Sequence, residues 1–215
     1  MNEIEKTGQA EFDFAAPNPA QKEPSALPPF LRQEGFYFVA LGGAEKVGMN
    51  MYAYISDGRI IVVDAGYDFL NDDFPGMELG LADPAWLESY RDCIDAMFIT
   101  HSHEDHFGAI AHIWPRLRCP VYATDFTIGH ILPRLREYKL ENEVELISVN
   151  QNPVVKLPDF EVEYVPVVHS LPENSALRIK TKYGTVFHAT DWRFDDCHID
   201  FMKTSYDRLK QVGEQ

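Results

Sequence analysis

Cysteine is scarce in this chain. Its 215 residues hold three, Cys93, Cys119 and Cys197, far apart and without a Cys-x-x-Cys pair. That count offers no disulfide framework and fits a reducing compartment. Positive charge is short as well: 19 Lys and Arg against 34 Asp and Glu leave a net charge of −15 and a pI near 4.8. A broad, non-specific nucleic-acid binder carries a basic footprint, so that class is excluded. A nucleic-acid substrate is not, because a local groove or divalent cations at an acidic mouth would offset the negative field. No apolar run approaches the length of a membrane span, and the opening Met1-Asn2-Glu3-Ile4-Glu5-Lys6 has no apolar signal core. The expectation is a soluble, cytoplasmic protein with no membrane partner.

What is present suffices for one sizeable domain: 45% of residues are hydrophobic, with 14 Phe and 10 Tyr. Residues 1–34 carry Pro17, Pro19, Pro24, Pro28 and Pro29 among Glu, Gln, Ala and Asn without periodicity, and are expected to form a disordered tail. The domain is expected to occupy 35–215.

Order begins with Phe36–Leu41 as a strand entering Gly42-Gly43. A second strand, Asn50–Ile55, and the buried strand Arg59–Val63 flank the hairpin signal Asp57-Gly58. The latter delivers Asp64-Ala65-Gly66 at its end. Asp83-Pro84 marks the start of a short helix with Trp86, Leu87 and Tyr90 on one face. Strand Ala96–Thr100 is followed by Ile110, Ile113, Trp114 and Leu117 at helical spacing, until Cys119-Pro120 breaks the run. Val121–Ala123 reads as a strand and Phe126–Leu135 as a helix interrupted near Pro133. Leu146–Val149, Phe160–Val168 and Leu177–Lys180 read as strands. After the turn Tyr183-Gly184, Thr185–Thr190 runs into Asp191, and Ser205–Val212 starts a helix. Four strands thus end in Asp64, His101, His169 and Asp191, as a metal site at one edge of a β-sandwich requires.

The densest stretch is Thr100-His101-Ser102-His103-Glu104-Asp105-His106-Phe107-Gly108. His101 and His103, two apart in an extended loop, can point toward one cation. Asp105 and His106, where a helix would begin, can turn toward a second. Neutral imidazole with carboxylate suits zinc, with manganese or iron as alternatives.

These residues resemble a known family. His101-Ser102-His103-Glu104-Asp105-His106, with Asp64, His169 and Asp191 at their separations, is similar to the metallo-β-lactamase superfamily. Leu41-Gly42-Gly43, Gly48-Met49-Asn50, His169-Ser170-Leu171-Pro172-Glu173 and Asp191-Trp192-Arg193 look like the N-terminal part of ribonuclease J, over roughly 36–213. The resemblance implies an α/β (α+β) fold, an αββα sandwich incomplete at its C-terminal end. It implies two divalent ions, Zn2+ or Mn2+: His101, His103 and His169 on the first, Asp105 and His106 on the second, Asp191 bridging. Asp64 would stand behind them, orienting a histidine or the loop. The catalytic group would be Asp105, His106 and Asp191, and the chemistry phosphodiester hydrolysis of an RNA substrate by a metal-activated hydroxide. The longer form of such a protein would be a candidate homo-oligomer.

Two departures stand out. The family usually has Gly before the bridging Asp, where this chain has Thr190, a β-branched residue suited only to negative φ. In ribonuclease J a β-CASP domain follows, and later sequence brings the last histidine of the second metal. His198 comes too soon to match, so the chain is expected to be an N-terminal fragment. The competing expectations are a stand-alone hydrolase of a thioester or lactone, and a non-catalytic remnant. Beside the site, His188 is expected to be a hydrogen-bonded core histidine and His112 and His130 structural or surface residues. Glu104 is expected in solvent, Gly108 to permit close packing, and Ser170 either near the metals or capping a turn. Trp192 and Arg193 are read as structural ahead of substrate-facing.

Overall fold

The computed structural model describes residues 34–70, 74–151, 153–193 and 204–214. The expected tail up to Gln33, Asp72 and Asp73, Cys197 and His198 lie outside the described residues.

Twelve described strands form three sheets. In chain order they are β1 (Phe36–Gly42), β2 (Met51–Ser56), β3 (Arg59–Val63), β4 (Tyr67–Phe69), β5 (Leu79–Leu81), β6 (Ile94–Phe98), β7 (Val121–Ala123), β8 (Leu146–Ser148), β9 (Val154–Lys156), β10 (Glu161–Pro166), β11 (Ser175–Thr181) and β12 (Gly184–His188). The helices are α1 (Ala85–Glu88), α2 (Glu104–Phe107), α3 (Ile110–Leu117), α4 (Asp125–Glu137) and α5 (Tyr206–Gly213). The larger sheet has the order β1-β2-β3-β6-β7-β8, antiparallel from β1 to β3 and parallel from β3 onward. The smaller, β12-β11-β10-β9, is antiparallel throughout. No described helix is long and apolar enough to cross a membrane.

The two faces of the larger sheet explain its sequence. Ile60, Val62 and Met97 point to one side, against Ile110, Ile113, Leu117, Ile131 and Leu135 of α3 and α4. Ile61, Val63, Ala96 and Phe98 point to the other, against Val162, Tyr164, Leu177 and Ile179 of the smaller sheet. A strand buried on both faces reads as an unbroken apolar run rather than an alternation. At roughly 1.5–3 kcal/mol per fully buried aliphatic side chain, these two interiors carry the stability. The loops at their rim are thereby free to be polar.

The smaller sheet differs on its outer face. Glu163 of β10 accepts from Arg178 Nε and from Arg208 Nε, each at 2.7 Å, and α5 docks there with Val212 buried. The layers are therefore helix, sheet, sheet, helix, as expected. Several local expectations are corrected. The helix α4 continues through Pro133 rather than breaking, because Ile131 and Leu135 on either side are both buried in the core. The hairpin β4–β5 and the strand β9 carry no clear pattern in so few residues. Asp68 lies on β4 and pairs with Lys46.

Candidate metal centre

The loop after β6 is held by main-chain bonds from both sides. Asp64 N–H donates to Phe98 O at 2.9 Å and Ala65 N–H to His106 O at 2.7 Å. On the other side Asn50 N–H donates to Asp105 O at 3.0 Å, and Gly66 N–H to Asn50 O at 3.0 Å. This threading requires Gly66, since a Cβ there would lie 1.6 Å from the Asp105 carbonyl oxygen. Gly108 meets the same limit, with Glu104 O at 2.5 Å. The single turn of α2, closed by His106 N–H to His103 O at 2.9 Å, rotates Asp105 and His106 away from the extended His101–His103 segment.

Six of the seven predicted residues converge. Donor atoms of His101, His103, His169 and Asp191 lie within 4.8 Å of one another, as do those of Asp105, His106 and Asp191. His103 Nδ1 is 2.9 Å from His101 Nε2 and 3.1 Å from His169 Nε2. Asp191 Oδ2 is 3.8 Å from His169 Nε2 and 3.7 Å from His106 Nε2, so one carboxylate faces both groups. Asp105 Oδ2 is 3.6 Å from His106 Nε2. Donors around a tetrahedral ion with bonds of about 2.0–2.1 Å stand about 3.3–3.4 Å apart. The nitrogen and oxygen set and its spacing fit divalent ions.

The seventh residue, Asp64, is fully buried behind the donors. Its Oδ2 is 2.7 Å from His106 Nδ1 and accepts from Thr100 Oγ1 at 3.0 Å, while Oδ1 accepts from the Thr100 N–H at 2.8 Å. His106 therefore carries a proton on Nδ1 and turns Nε2 inward. Thr100 Oγ1 has one hydrogen, committed to Asp64, so His101 Nδ1, 3.0 Å away, must donate to it. That leaves the His101 Nε2 lone pair facing the other imidazoles. Ser170 Oγ is exposed and lies 3.1 Å from His103 Nε2, beside the donors rather than among them.

The electrostatics differ between the groups. Burial, with His106 and His103 nearby, pushes His101 down to about 2, and burial also lowers His103 and His169. Burial would lower His106 too, but the Asp64 charge and hydrogen bonds to Asp191 and Asp64 outweigh it and raise it to about 10. The His106 hydrogen bond holds Asp191 down at about 2.

Sequence reasoning missed the role of Asn50. Its Nδ2 donates to Asp105 O at 3.0 Å and Asp105 Oδ2 at 3.2 Å, and its Oδ1 accepts from Tyr52 Oη at 2.9 Å. The only signal for it was its place after Gly48-Met49, both at positive φ. Two expectations are corrected. Glu104 is less free than expected: its side chain is 42% exposed, but Oε1 accepts from Arg134 Nη2 at 2.9 Å. Thr190 is not at negative φ but at φ 53. His188 is as read, with Nδ1 2.9 Å from Tyr54 Oη. With Tyr52, Lys46, Gly43 and Asp191 it lines a cleft of about 500 Å³ beside the second group. His112 Nε2 lies 3.0 Å from Tyr138 Oη on the helical side, and Trp192 lines a hollow under α5 with Leu209 and Val212.

Two sheets stacked between helices, with imidazoles and carboxylates gathered at the strand ends of one edge, define a protein of the metallo-β-lactamase fold. The chain belongs to that superfamily: the family described as Beta-lactamase superfamily domain matches residues 59–206. It is similar to a Ribonuclease J of Sinorhizobium meliloti, with 38% identity over 86% of this chain and 33% of that protein. A Ribonuclease J of Mycolicibacterium smegmatis is 35% identical over 88% of this chain and 34% of its own length. The chain thus spans about a third of the length of these relatives. Among solved structures, the metallo-beta-lactamase fold protein YhfI of Bacillus subtilis superposes with a TM-score of 0.54 at 17% identity. That match covers 76% of this chain and 65% of that one. The fold family implies divalent metal ions at this edge.

Proposed function

We propose that this chain carries the metal centre of a ribonuclease of the ribonuclease J type, cleaving RNA phosphodiester bonds in RNA processing and decay. The observation that carries the reading is Asp191, whose carboxylate is shared between a three-histidine group and an Asp105–His106 group. The sequence likeness to proteins named Ribonuclease J supports the substrate class. His101, His103, His169 and Asp191 would hold one ion, Asp105, His106 and Asp191 the other, with zinc favoured by the imidazole-rich set. A pair of divalent ions held there would supply an activated hydroxide from water and charge stabilisation for an in-line displacement at phosphorus.

The chain's own residues do the positioning. Asp64 fixes the His106 ring, Asn50 holds Asp105, and the cleft past Tyr52 and Lys46 gives a strand of RNA a way in. With a net charge of −15, that approach depends on the cations themselves to attract phosphate. The same reading carries a cytoplasmic setting.

The test is hydrolysis by the purified chain, loaded with zinc or with manganese, of end-labelled single-stranded RNA, a thioester and a lactone in parallel. Chelator-sensitive RNA cleavage without ester turnover is the expected result. Turnover of the small esters with intact RNA would overturn the nuclease reading in favour of a small-molecule hydrolase.

A further inference from the structure

The segment that brings Asp191 to the centre leaves the end of β12. Thr190 stands just before Asp191 at φ 53, a left-handed backbone that β-branched residues rarely adopt because the branched side chain crowds the chain. Its side chain has a specific partner. Thr190 Oγ1 donates to Thr100 Oγ1 at 3.0 Å, and Thr100 Oγ1 donates in turn to Asp64 Oδ2 at 3.0 Å. Asp64 is the carboxylate whose Oδ2 also holds His106 Nδ1 at 2.7 Å. Two further bonds hold the same segment: Asn174 Nδ2 to Asp191 O at 2.7 Å, and Arg193 N–H to Val168 O at 2.9 Å.

We propose that Thr190 is a positioning residue for the second metal: its hydroxyl holds the left-handed turn that sets Asp191, and refers Asp191 and His106 to one buried carboxylate. This rests on the reading of Asp191 and His106 as donors to that metal. Asp64 and Thr100 have no exposure to solvent, so they form a fixed reference. Asp191 is about half exposed and is gripped through its carbonyl by Asn174, so the Thr190 bond is what ties its turn to the buried carboxylate. The three-histidine group needs this device less, because His101 and His103 already sit on the loop after β6 and His169 follows β10. Losing the Thr190 hydroxyl should therefore weaken the second metal more than the first. The left-handed turn would then also lack the bond that holds a branched residue in it. Asn174 would still grip the Asp191 carbonyl, which makes the expected effect a loosening rather than a collapse.

The test compares Thr190→Val, which keeps the shape and removes the hydroxyl, with Thr190→Ser, which keeps the hydroxyl. Stepwise zinc affinities are measured by competition with a chromophoric chelator. Amide exchange at Arg193 is followed by NMR in the metal-free protein. Thr190→Val is expected to weaken the second equivalent by about tenfold or more, in the range for lost outer hydrogen-bond partners, and the first by clearly less. Arg193 exchange should quicken in the same variant. Thr190→Ser should match the wild type in both readouts. Equal weakening of both equivalents, or wild-type behaviour of Thr190→Val, would overturn the proposal, as would a Ser variant that falls with Val. If the wild type bound only one equivalent, the two-metal reading would fail by itself. The Arg193 exchange rates would still report on the hydroxyl anchor: quickening in Val alone would uphold it and no change would end it.

Discussion

The two donor groups at the centre are built from opposite electrostatics. The first gathers three imidazoles, all lowered by burial and so held neutral. The second sets one imidazole among carboxylates, and Asp64 and Asp191 raise His106 to about 10. A neutral cluster accepts a cation without exchanging protons. If His106 takes a cation as proposed, the carboxylate group would have to give up its proton, since ligands bind in their deprotonated form. The difference teaches that one carboxylate facing both groups, Asp191, joins sites of unlike proton demand.

The largest effect that would break this comparison comes from His103→Ala. His103 Nδ1 is the atom nearest both other imidazoles, so its loss should abolish metal-dependent hydrolysis. It should also weaken the first equivalent by more than the about 10–100-fold typical of an outer partner. An active preparation that kept its rate after this change would sink the site assignment. Zinc titration and an RNA cleavage assay read both.

Asp64→Asn should come next. Asp64 accepts three hydrogen bonds, two from Thr100 and one from His106. An amide would present a donor to at least one of those donors. The second equivalent should weaken by about 10–100-fold and the first by less. Calorimetric titration that found the two reduced alike would mean that Asp64 merely holds the loop.

The smallest effect sharpens the contrast through pH, in the metal-free protein. His106 binds its proton more tightly folded than unfolded. It contributes stability fully present below about pH 6.5 that declines as pH rises toward about 10. His101 is the reverse: the unfolded chain takes up a proton below about 6.5 and the folded one does not until about 2. Its contribution is present above 6.5 and lost as pH falls. Urea unfolding of His106→Gln and His101→Gln between pH 5 and 9 should show deficits that shrink in opposite directions. Parallel curves would remove the distinction between the groups.

Much of the site was legible in advance because its donors stand at the ends of apolar runs. Asp64 closes Arg59–Val63, His101 follows Ala96–Thr100, His169 follows Phe160–Val168, and Asp191 follows Thr185–Thr190. The unbroken apolar run of β3 and the helical spacing of Ile110, Ile113 and Leu117 placed the sheet and α3. What escaped depended on partners far away in the chain. Asn50 is 55 residues from the Asp105 that it holds. Glu104 meets Arg134 thirty residues on. Nothing within a short window around Pro133 announces that the helix continues, since the burial of Ile131 and Leu135 decides it.

By itself the sequence determined the donor types, the strand ends that carry them and the apolar faces of both sheets, because alternation and spacing are local properties of the chain. Only the tertiary structure decided which tautomers His101 and His106 adopt, and that Thr190 turns left-handed. Those outcomes follow from a single hydrogen on Thr100 and one buried carboxylate, and both take their partners from strands distant in sequence.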